Sequence, residues 1–206
     1  MSLSGMALSQ TQKKYLALGD SYTIGESVAE SERWPNQLAE KLNLKNVPVA
    51  KPRIIATTGW RTDNLSNAMT IAKLKPEYDL VSLLIGVNNQ YQGKPSDQYA
   101  KEFDELLKTS IALAKGKSEN VFVVSIPDYG FTPFGEKNRE RISREIDVFN
   151  SINKRIAEQY KVKYINITDI SRKGLEDGSL VAGDGLHPSG KMYSLWVENI
   201  VAAITP

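Results

Sequence analysis

A serine, an aspartate and a histidine in this chain are of the types that together carry out acyl transfer. Ser21 lies three residues after a short apolar run, and Asp184 and His187 lie three residues apart near the other end of the 206-residue sequence. A serine hydroxyl attacks a carbonyl efficiently only when a base takes its proton. Imidazole, with an ordinary pKa of about 6.5, suits that task at neutral pH, and His187 is the only histidine in the chain. We therefore predict that Ser21 is a nucleophile, that His187 is its base and that Asp184 orients the imidazole ring.

Three further groups are candidates for stabilising the oxyanion that such an attack creates. They are the backbone N–H groups of Ser21 and Gly59 and the side-chain amide of Asn88. Each donor of this kind is typically worth about 2.7–4 kcal/mol of transition-state stabilisation. Because Gly59 lacks a Cβ, a substrate oxygen can approach its N–H closely. We predict that these three donors form an oxyanion hole.

Alternating strand and helix signals place these residues at one edge of a predicted sheet. Five short apolar runs are typical of buried strands, and apolar residues recur at helical spacing between them. The runs cover residues 15–18, 53–57, 79–85, 120–126 and 163–167. This alternation predicts an α/β fold with right-handed crossovers and helices on both faces of a parallel sheet. Five strands favour the flavodoxin-like order 2-1-3-4-5. Since parallel strands all end at the same edge, the fold gathers Ser21, Gly59, Asn88, Asp184 and His187 there.

Two helix starts and one helix face are also predicted. Thr62 and Ser189 are placed as the N-caps of the helix after the second strand and of the closing helix. In the closing helix, Leu195, Trp196 and Ile200 are expected to face the core, because they fall at helical spacing.

The composition is typical of one soluble globular domain. Hydrophobic residues make up 41% and charged residues 24%, and the net charge of +2 gives no reason to expect a nucleic-acid partner. No apolar run approaches the roughly 18 residues that a membrane span requires. Residues 1–12 are predicted to be a disordered segment or a cloning remnant, and residues 13–206 a single domain. Residues 1–12 lack the regions of a secretory signal but could stand in place of one, so the compartment, cytoplasm or export, stays open.

Cysteine and histidine content argues against thiol and zinc chemistry. The chain has no cysteine and one histidine. Disulfides and thiolate nucleophiles are therefore excluded, and a zinc site would have only carboxylates as its further ligands. We predict no metal site.

Six aromatic residues are predicted to line an acyl or leaving-group pocket. All of them fall in loops at the same edge of the predicted sheet as the candidate catalytic residues, although loop packing explains any one of them equally well. The six are Tyr22, Trp60, Tyr91, Tyr129, Phe131 and Phe134.

Four motifs of the chain resemble the sequence blocks of the SGNH, or GDSL, hydrolases. Their order and spacing cover nearly the whole chain. The motifs are Gly19-Asp20-Ser21, Gly59, Gly86-Val87-Asn88-Asn89 and Asp184-Gly185-Leu186-His187-Pro188. The resemblance implies a three-layer α/β/α fold in which Ser21, Asp184 and His187 form a triad and Gly59 and Asn88 are oxyanion donors. It also implies hydrolysis of carboxylic esters, and in some members of thioesters or sugar acetyl groups, without a cofactor.

Two positions depart from the family pattern. Tyr22 follows the nucleophile where leucine is usual, and Asn89 ends the third block where aspartate is usual. Neither change removes a group with a predicted catalytic role. Both leave the substrate preference open.

Two alternatives to a general carboxylic ester hydrolase are open at this point. A carbohydrate acetyl esterase would use the same residues on a different substrate. A non-catalytic flavodoxin-like module would bind a phosphorylated ligand at the same edge, but the chain shows neither a phosphate-cradling glycine-rich loop nor a cluster of acidic phospho-acceptors. The sequence favours a serine esterase that forms an acyl-enzyme with a small-molecule ester.

Overall fold

The five strands form one parallel sheet in a computed structural model that describes residues 11–205. Their order across the sheet, β2-β1-β3-β4-β5, is the predicted one, and every neighbouring pair is parallel. The strands are β1 (Tyr15–Gly19), β2 (Arg53–Ala56), β3 (Leu80–Leu84), β4 (Val121–Val124) and β5 (Lys163–Ile165). The disorder predicted for residues 1–12 lies outside the described residues, except at its last two positions.

Within residues 11–205, eight α-helices flank the sheet. The helices are α1 (Ser21–Ile24), α2 (Trp34–Leu44), α3 (Thr62–Ile71), α4 (Val87–Tyr91), α5 (Ser96–Leu113), α6 (Arg139–Gln159), α7 (Thr168–Ser171) and α8 (Gly190–Ile204). One layer contains α2 and α8, which pack against each other, and the other contains α5 packed between α3 and α6. This is the three-layer α/β/α arrangement that was predicted. No helix in the described part of the chain combines the length and the apolar character needed to cross a membrane.

Burial in the sheet increases from its edges to its centre. Every residue of β1 and β4 is buried, whereas the edge strands β2 and β5 are partly exposed. Helices on both faces explain why the central strands are continuous apolar runs. The loops after β1 and β3, which carry Ser21 and Asn88, therefore leave from neighbouring strands in the most deeply buried part of the fold.

The carboxyl ends of the strands differ from the prediction by one or two residues. The third and fourth apolar runs continue to Ile85 and Ile126, which are fully buried but lie beyond the last strand pairing. The run of apolar residues thus reports burial, and the chain stays buried after it leaves the ladder.

The predicted helix starts and faces are partly confirmed. Ser189 is the N-cap of α8, and its Oγ accepts a hydrogen bond from the Met192 N–H at 3.2 Å. Thr62, however, is the first residue of α3, and Arg61 is the N-cap. Leu195 was wrongly assigned to the core: it is 38% exposed. The buried stripe of α8 runs through 192/193, 196/197 and 200/201, and position 195 falls beside it.

Candidate active site

Ser21 is the first residue of α1 and is separated from the end of β1 by Asp20. Asp20 is the N-cap of this one-turn helix, and its Oδ1 accepts a hydrogen bond from the Tyr22 N–H at 3.0 Å. Gly19 does not have a positive φ; a Cβ there would lie 2.5 Å from the Leu84 carbonyl oxygen. Close packing at the end of β3 therefore requires glycine, and the chain turns at once to present Ser21.

The loop before α8 carries a hydrogen-bonded aspartate–histidine pair. Asp184 Oδ2 lies 2.6 Å from His187 Nδ1, and Asp184 Oδ1 accepts hydrogen bonds from the N–H groups of Leu186 and His187, both at 2.9 Å. Gly185, with a φ of +73°, supplies the left-handed conformation of this turn. The pairing holds the ring through Nδ1 and leaves Nε2 as the atom for proton transfer.

Hydrogen bonds decide the charge of Asp184. Partial burial opposes ionisation, but hydrogen bonds from the Ser27 hydroxyl, the His187 ring and the N–H groups of Leu186 and His187 outweigh it. Together they hold the pKa of Asp184 well below its usual range. The carboxylate is therefore ionised at neutral pH and able to stabilise an imidazolium.

Asp20, beside Ser21, has the opposite environment. It is fully buried, and its Oδ2 has no hydrogen-bond partner among the described residues. Burial raises the pKa of Asp20 to about 7, although the N–H groups of Tyr22, Asp20 and Gly86 oppose the shift. Its visible role is to cap α1 through Oδ1.

The loop after β2 presents an open backbone donor. Gly59 has a φ of +84°, and nothing would lie within 4 Å of a Cβ built on it. Asn88 Nδ2 donates to the Trp60 carbonyl oxygen at 2.9 Å, which ties α4 to this loop and leaves the second N–H of that amide for a ligand. The N–H of Ser21, at the first position of α1, has no acceptor within the helix. Ser21 and Asn88 line the same cleft, whereas Gly59 does not, and the oxyanion role of all three donors stays a prediction.

One cleft of about 170 Å³ is lined by Ser21, Asn88 and His187. Apolar and aromatic side chains complete its lining: Tyr22, Val87, Tyr91, Tyr129, Phe134 and Leu186. Among residues 11–205, the lining contains no aspartate, glutamate, lysine or arginine. The cleft therefore suits an uncharged ligand.

The Ser21 hydroxyl is nearly buried in this cleft, with 5% of the residue exposed. Within residues 11–205 no hydrogen bond joins it to the His187 ring, which lines the same cleft. In unliganded active sites the contact between nucleophile and base is frequently long and tightens on substrate binding. The pairing of these two groups stays a prediction.

Three of the predicted pocket aromatics form a triangle at the cleft. The ring centroids of Tyr91, Tyr129 and Phe134 lie 6.2–6.3 Å from one another. Tyr129 is buried, whereas Tyr91 and Phe134 are more than half exposed. The Phe134 N–H donates to the Gly185 carbonyl oxygen at 3.0 Å, so this group is attached to the loop that carries His187.

The other three predicted pocket aromatics are placed differently. Tyr22 is buried and lines the cleft, and its ring lies 5.8 Å from the His187 ring in a T-shaped arrangement. Trp60 and Phe131 do not line the cleft. The Phe131 ring instead lies 5.4 Å from the Arg139 guanidinium carbon.

Asn89, the second departure from the family pattern, links three elements. Its Oδ1 accepts a hydrogen bond from the Thr62 N–H at 3.1 Å, and its Nδ2 donates to Thr62 Oγ1 at 2.7 Å. The Thr62 hydroxyl in turn donates to the Glu102 carboxylate. Both the oxygen and the nitrogen of the amide are hydrogen-bonded. Asparagine therefore holds the helix that bears Asn88 against α3, although it lacks the charge of the aspartate that is usual at this position.

Sequence reasoning missed one residue of the site, Ser27. Its Oγ donates to Asp184 Oδ2 at 2.6 Å across 157 positions of the chain. No motif or spacing in the sequence links these two positions. Only the three-dimensional arrangement reveals the contact.

The sequence of the chain is similar to those of known proteins. A model of the GDSL-like Lipase/Acylhydrolase family matches residues 17–195. An arylesterase from Vibrio mimicus is 27% identical over 203 residues, which is 95% of this chain and 90% of that protein.

Solved structures share the fold at lower identity. The structure of TesA has a TM-score of 0.74 and 18% identity, covering 94% of this chain and 99% of that one. A variant of Axe2, an acetyl-xylooligosaccharide esterase from Geobacillus, has a TM-score of 0.73 and 18% identity, covering 94% of each chain.

Proposed function

The chain belongs to the GDSL-like lipase/acylhydrolase family and is an ester hydrolase, and from this premise we propose that it cleaves uncharged carboxylic esters through an acyl-enzyme on Ser21. The observation that carries the proposal is the cleft that Ser21, Asn88 and His187 share. His187 is hydrogen-bonded there to an ionised Asp184. Nucleophile, base and oxyanion donor thus border one volume.

The proposed reaction has two halves. In the first, His187 Nε2 takes the Ser21 proton while Oγ bonds to the ester carbonyl carbon. The oxyanion accepts hydrogen bonds from the Ser21 and Gly59 N–H groups and from Asn88 Nδ2. The tetrahedral intermediate then loses its alkoxide, which leaves as the alcohol with the proton from His187. In the second half, His187 deprotonates a water that attacks the acyl-enzyme, and the acid leaves as Ser21 regains its proton.

Asp184 supports both halves without taking the proton itself. Its negative charge stabilises the imidazolium that exists while His187 holds the proton, and its bond to Nδ1 selects the tautomer with a basic Nε2. The low pKa of Asp184 keeps that charge in place over the whole neutral range.

Replacing Ser21 is the direct test. We expect Ser21→Ala to lower hydrolysis of p-nitrophenyl acetate by at least about 10⁴-fold, because the acyl-enzyme cannot form. A fluorophosphonate should label the wild type at Ser21, as located by peptide mass spectrometry. Ser66→Ala, an exposed serine on α3, is the matched control and should be labelled and active like the wild type. Label at a different residue, or full activity of Ser21→Ala, would contradict the mechanism.

The substrate pocket is proposed to hold one aromatic ring or a short acyl chain. A dry cavity of about 150 Å³ in another protein accommodates benzene, and the cleft here has about 170 Å³. The triangle of Tyr91, Tyr129 and Phe134 offers ring faces and edges on one side. The relative named arylesterase is consistent with this assignment.

Two phenylalanines make a matched test of the pocket. Phe134 lines the cleft and Phe131 does not. We expect Phe134→Ala to change the ratio of kcat/KM between phenyl acetate and ethyl acetate by about 3- to 10-fold, the value of one aromatic contact. Phe131→Ala should leave that ratio unchanged. Equal effects of the two changes, or none, would remove Phe134 from the pocket.

Acetylated sugars are the alternative substrate class. The Axe2 likeness shows a shared fold, but six of the nine residues that line this cleft are apolar or aromatic. Turnover of acetylated xylose should therefore be slower than that of phenyl acetate at equal concentration. The reverse order would identify the enzyme as a carbohydrate acetyl esterase.

A further inference from the structure

We propose that Ser27 is a positioning residue that holds the Asp184 carboxylate, and through it His187, in register with Ser21; the inference rests on the proposed function. Ser27 Oγ and His187 Nδ1 both lie 2.6 Å from the same oxygen, Asp184 Oδ2. The oxygen that faces the imidazole is thus fixed from a second direction. Ser27 does not line the cleft.

The contact joins two parts of the chain that nothing else joins at the carboxylate. In the described residues four hydrogen bonds reach Asp184, and three of them come from the turn formed by residues 184–187 itself. Those three orient the carboxylate within its own turn. Of these four, only the hydrogen bond from the Ser27 hydroxyl connects the carboxylate to the segment after β1, which contains Ser21.

The turn that bears Ser27 is attached to the backbone of Ser21. The N–H groups of Gly25 and Glu26 both donate to the Ser21 carbonyl oxygen at 3.0 Å. The Glu26 carboxylate also accepts a hydrogen bond from the hydroxyl of Thr58, the residue before Gly59. A chain of hydrogen bonds therefore runs from the Ser21 backbone through the turn of Ser27 and through Asp184 to His187, with a branch to the loop of the predicted oxyanion hole.

Ser27 adopts a backbone conformation that glycine would occupy with less strain, as do Asn46, Lys73, Lys115 and Lys161. Ser27 has a φ of +66°, in the left-handed region that glycine adopts without strain and that other L-residues rarely occupy. A turn alone would be served better by glycine. A serine that keeps its hydroxyl on a carboxylate despite the strain is consistent with a functional constraint.

Two substitutions separate the hydroxyl from the strain. Ser27→Gly removes the hydroxyl and relieves the backbone, so its melting temperature should equal or exceed that of the wild type. Its kcat for p-nitrophenyl acetate should fall about tenfold with KM unchanged, because a hydrogen bond to a charged group is worth about that factor or more. Ser27→Thr keeps the hydroxyl but places a β-branched residue in the left-handed region. It should melt at a lower temperature and keep kcat within about twofold of the wild type.

The outcomes distinguish three interpretations. A fall of kcat in Ser27→Gly together with its retention in Ser27→Thr supports the proposal. Wild-type kcat in Ser27→Gly, or a kcat that follows melting temperature in both variants, overturns it and leaves Ser27 a turn residue. Inactivity of Ser21→Ala beside wild-type kcat in Ser27→Gly rejects the positioning role alone, whereas activity of Ser21→Ala rejects the proposed function.

Discussion

Two aspartates, Asp20 beside Ser21 and Asp184 beside His187, have pKa values that are shifted in opposite directions. Asp20 is fully buried with one unpartnered oxygen, and burial raises its pKa to about 7. The Asp184 side chain is 32% exposed, both of its oxygens are hydrogen-bonded, and its pKa lies well below the usual range. The comparison shows that the hydrogen-bond donors around a carboxylate, together with its depth of burial, determine whether the carboxylate is ionised at neutral pH.

The two environments correspond to two uses of the same side chain. Asp184 has a charge that an imidazolium needs, on a surface loop where four hydrogen bonds hold it. Asp20 is the N-cap of α1, and the hydrogen bond that caps the helix is made by its Oδ1. We therefore expect removal of charge to impair catalysis at Asp184 and to be tolerated at Asp20.

Asp184→Asn should give the largest effect. The variant keeps the size of the side chain but removes the charge that stabilises the imidazolium and selects the His187 tautomer. By analogy with the same change in serine proteases, kcat for p-nitrophenyl acetate should fall by about 10⁴-fold. Asp20→Asn, assayed in parallel at pH 8, should stay within about tenfold of the wild type. A loss of less than tenfold at Asp184, or equal losses at the two positions, would break the comparison.

Asp20→Asn should change how stability depends on pH. The folded pKa of about 7 exceeds the ordinary value of 3.8, so between these values the folded wild type holds a proton that the unfolded chain releases. Stability from this group is complete below about pH 4 and is lost as pH rises to about 7, by up to a few kcal/mol. The variant lacks this loss, and asparagine can still cap α1 through its oxygen.

Urea unfolding at pH 5 and at pH 8 measures the effect. The free energy of unfolding of Asp20→Asn relative to the wild type should be higher at pH 8 than at pH 5. If the difference between the two proteins is the same at both pH values, then Asp20 is not protonated in the folded wild type at pH 5.

Asn89→Asp tests at a third position whether the available hydrogen-bond donors decide how well a carboxylate is tolerated. We expect a smaller effect than at Asp184 or Asp20. The Thr62 hydroxyl donates to Glu102, so an aspartate at position 89 would place an acceptor where Nδ2 now donates. We expect the free energy of unfolding to fall by about 1–3 kcal/mol, the cost of a buried unpaired acceptor.

A second substitution should repair this loss. In Asn89→Asp combined with Glu102→Gln, the glutamine amide can donate to the Thr62 hydroxyl, which can then donate to the new aspartate. The double variant should recover more than half of the lost stability, with Glu102→Gln alone as the control. Additive losses would show that the hydrogen-bonded chain through Thr62 does not govern stability here.

The fold, and the approach of Ser21, Asn88 and His187 to one cleft, could be predicted because they follow from the sequence pattern. Apolar runs alternating with amphipathic helices determine the parallel sheet, and its order was predicted correctly. Local chemistry was readable where a residue acts on its own neighbours, as in the Ser189 cap and the three-residue spacing of Asp184 and His187.

The remaining features depend on contacts between distant segments. The Ser27–Asp184 bond spans 157 positions, and no spacing rule reaches that far. The bonds of Asn89 with Thr62 likewise come from packing between α4 and α3, which also accounts for Thr62 lying inside the helix instead of before it. The assignment of Leu195 to the core was wrong, because the helical repeat identifies the buried stripe of a helix but locates the edge of that stripe only to within one residue.

Because His187 is the only histidine in the chain, its ring can be followed by NMR in the unmodified enzyme. With one histidine in the chain, the carbon-bound ring protons of His187 give lines in a proton NMR spectrum that need no isotopic label to be followed. The Tyr22 ring, 5.8 Å away, adds a ring-current contribution to their chemical shift. An inhibitor that enters the cleft and moves either ring will therefore displace those lines, so that binding can be titrated in the unmodified protein.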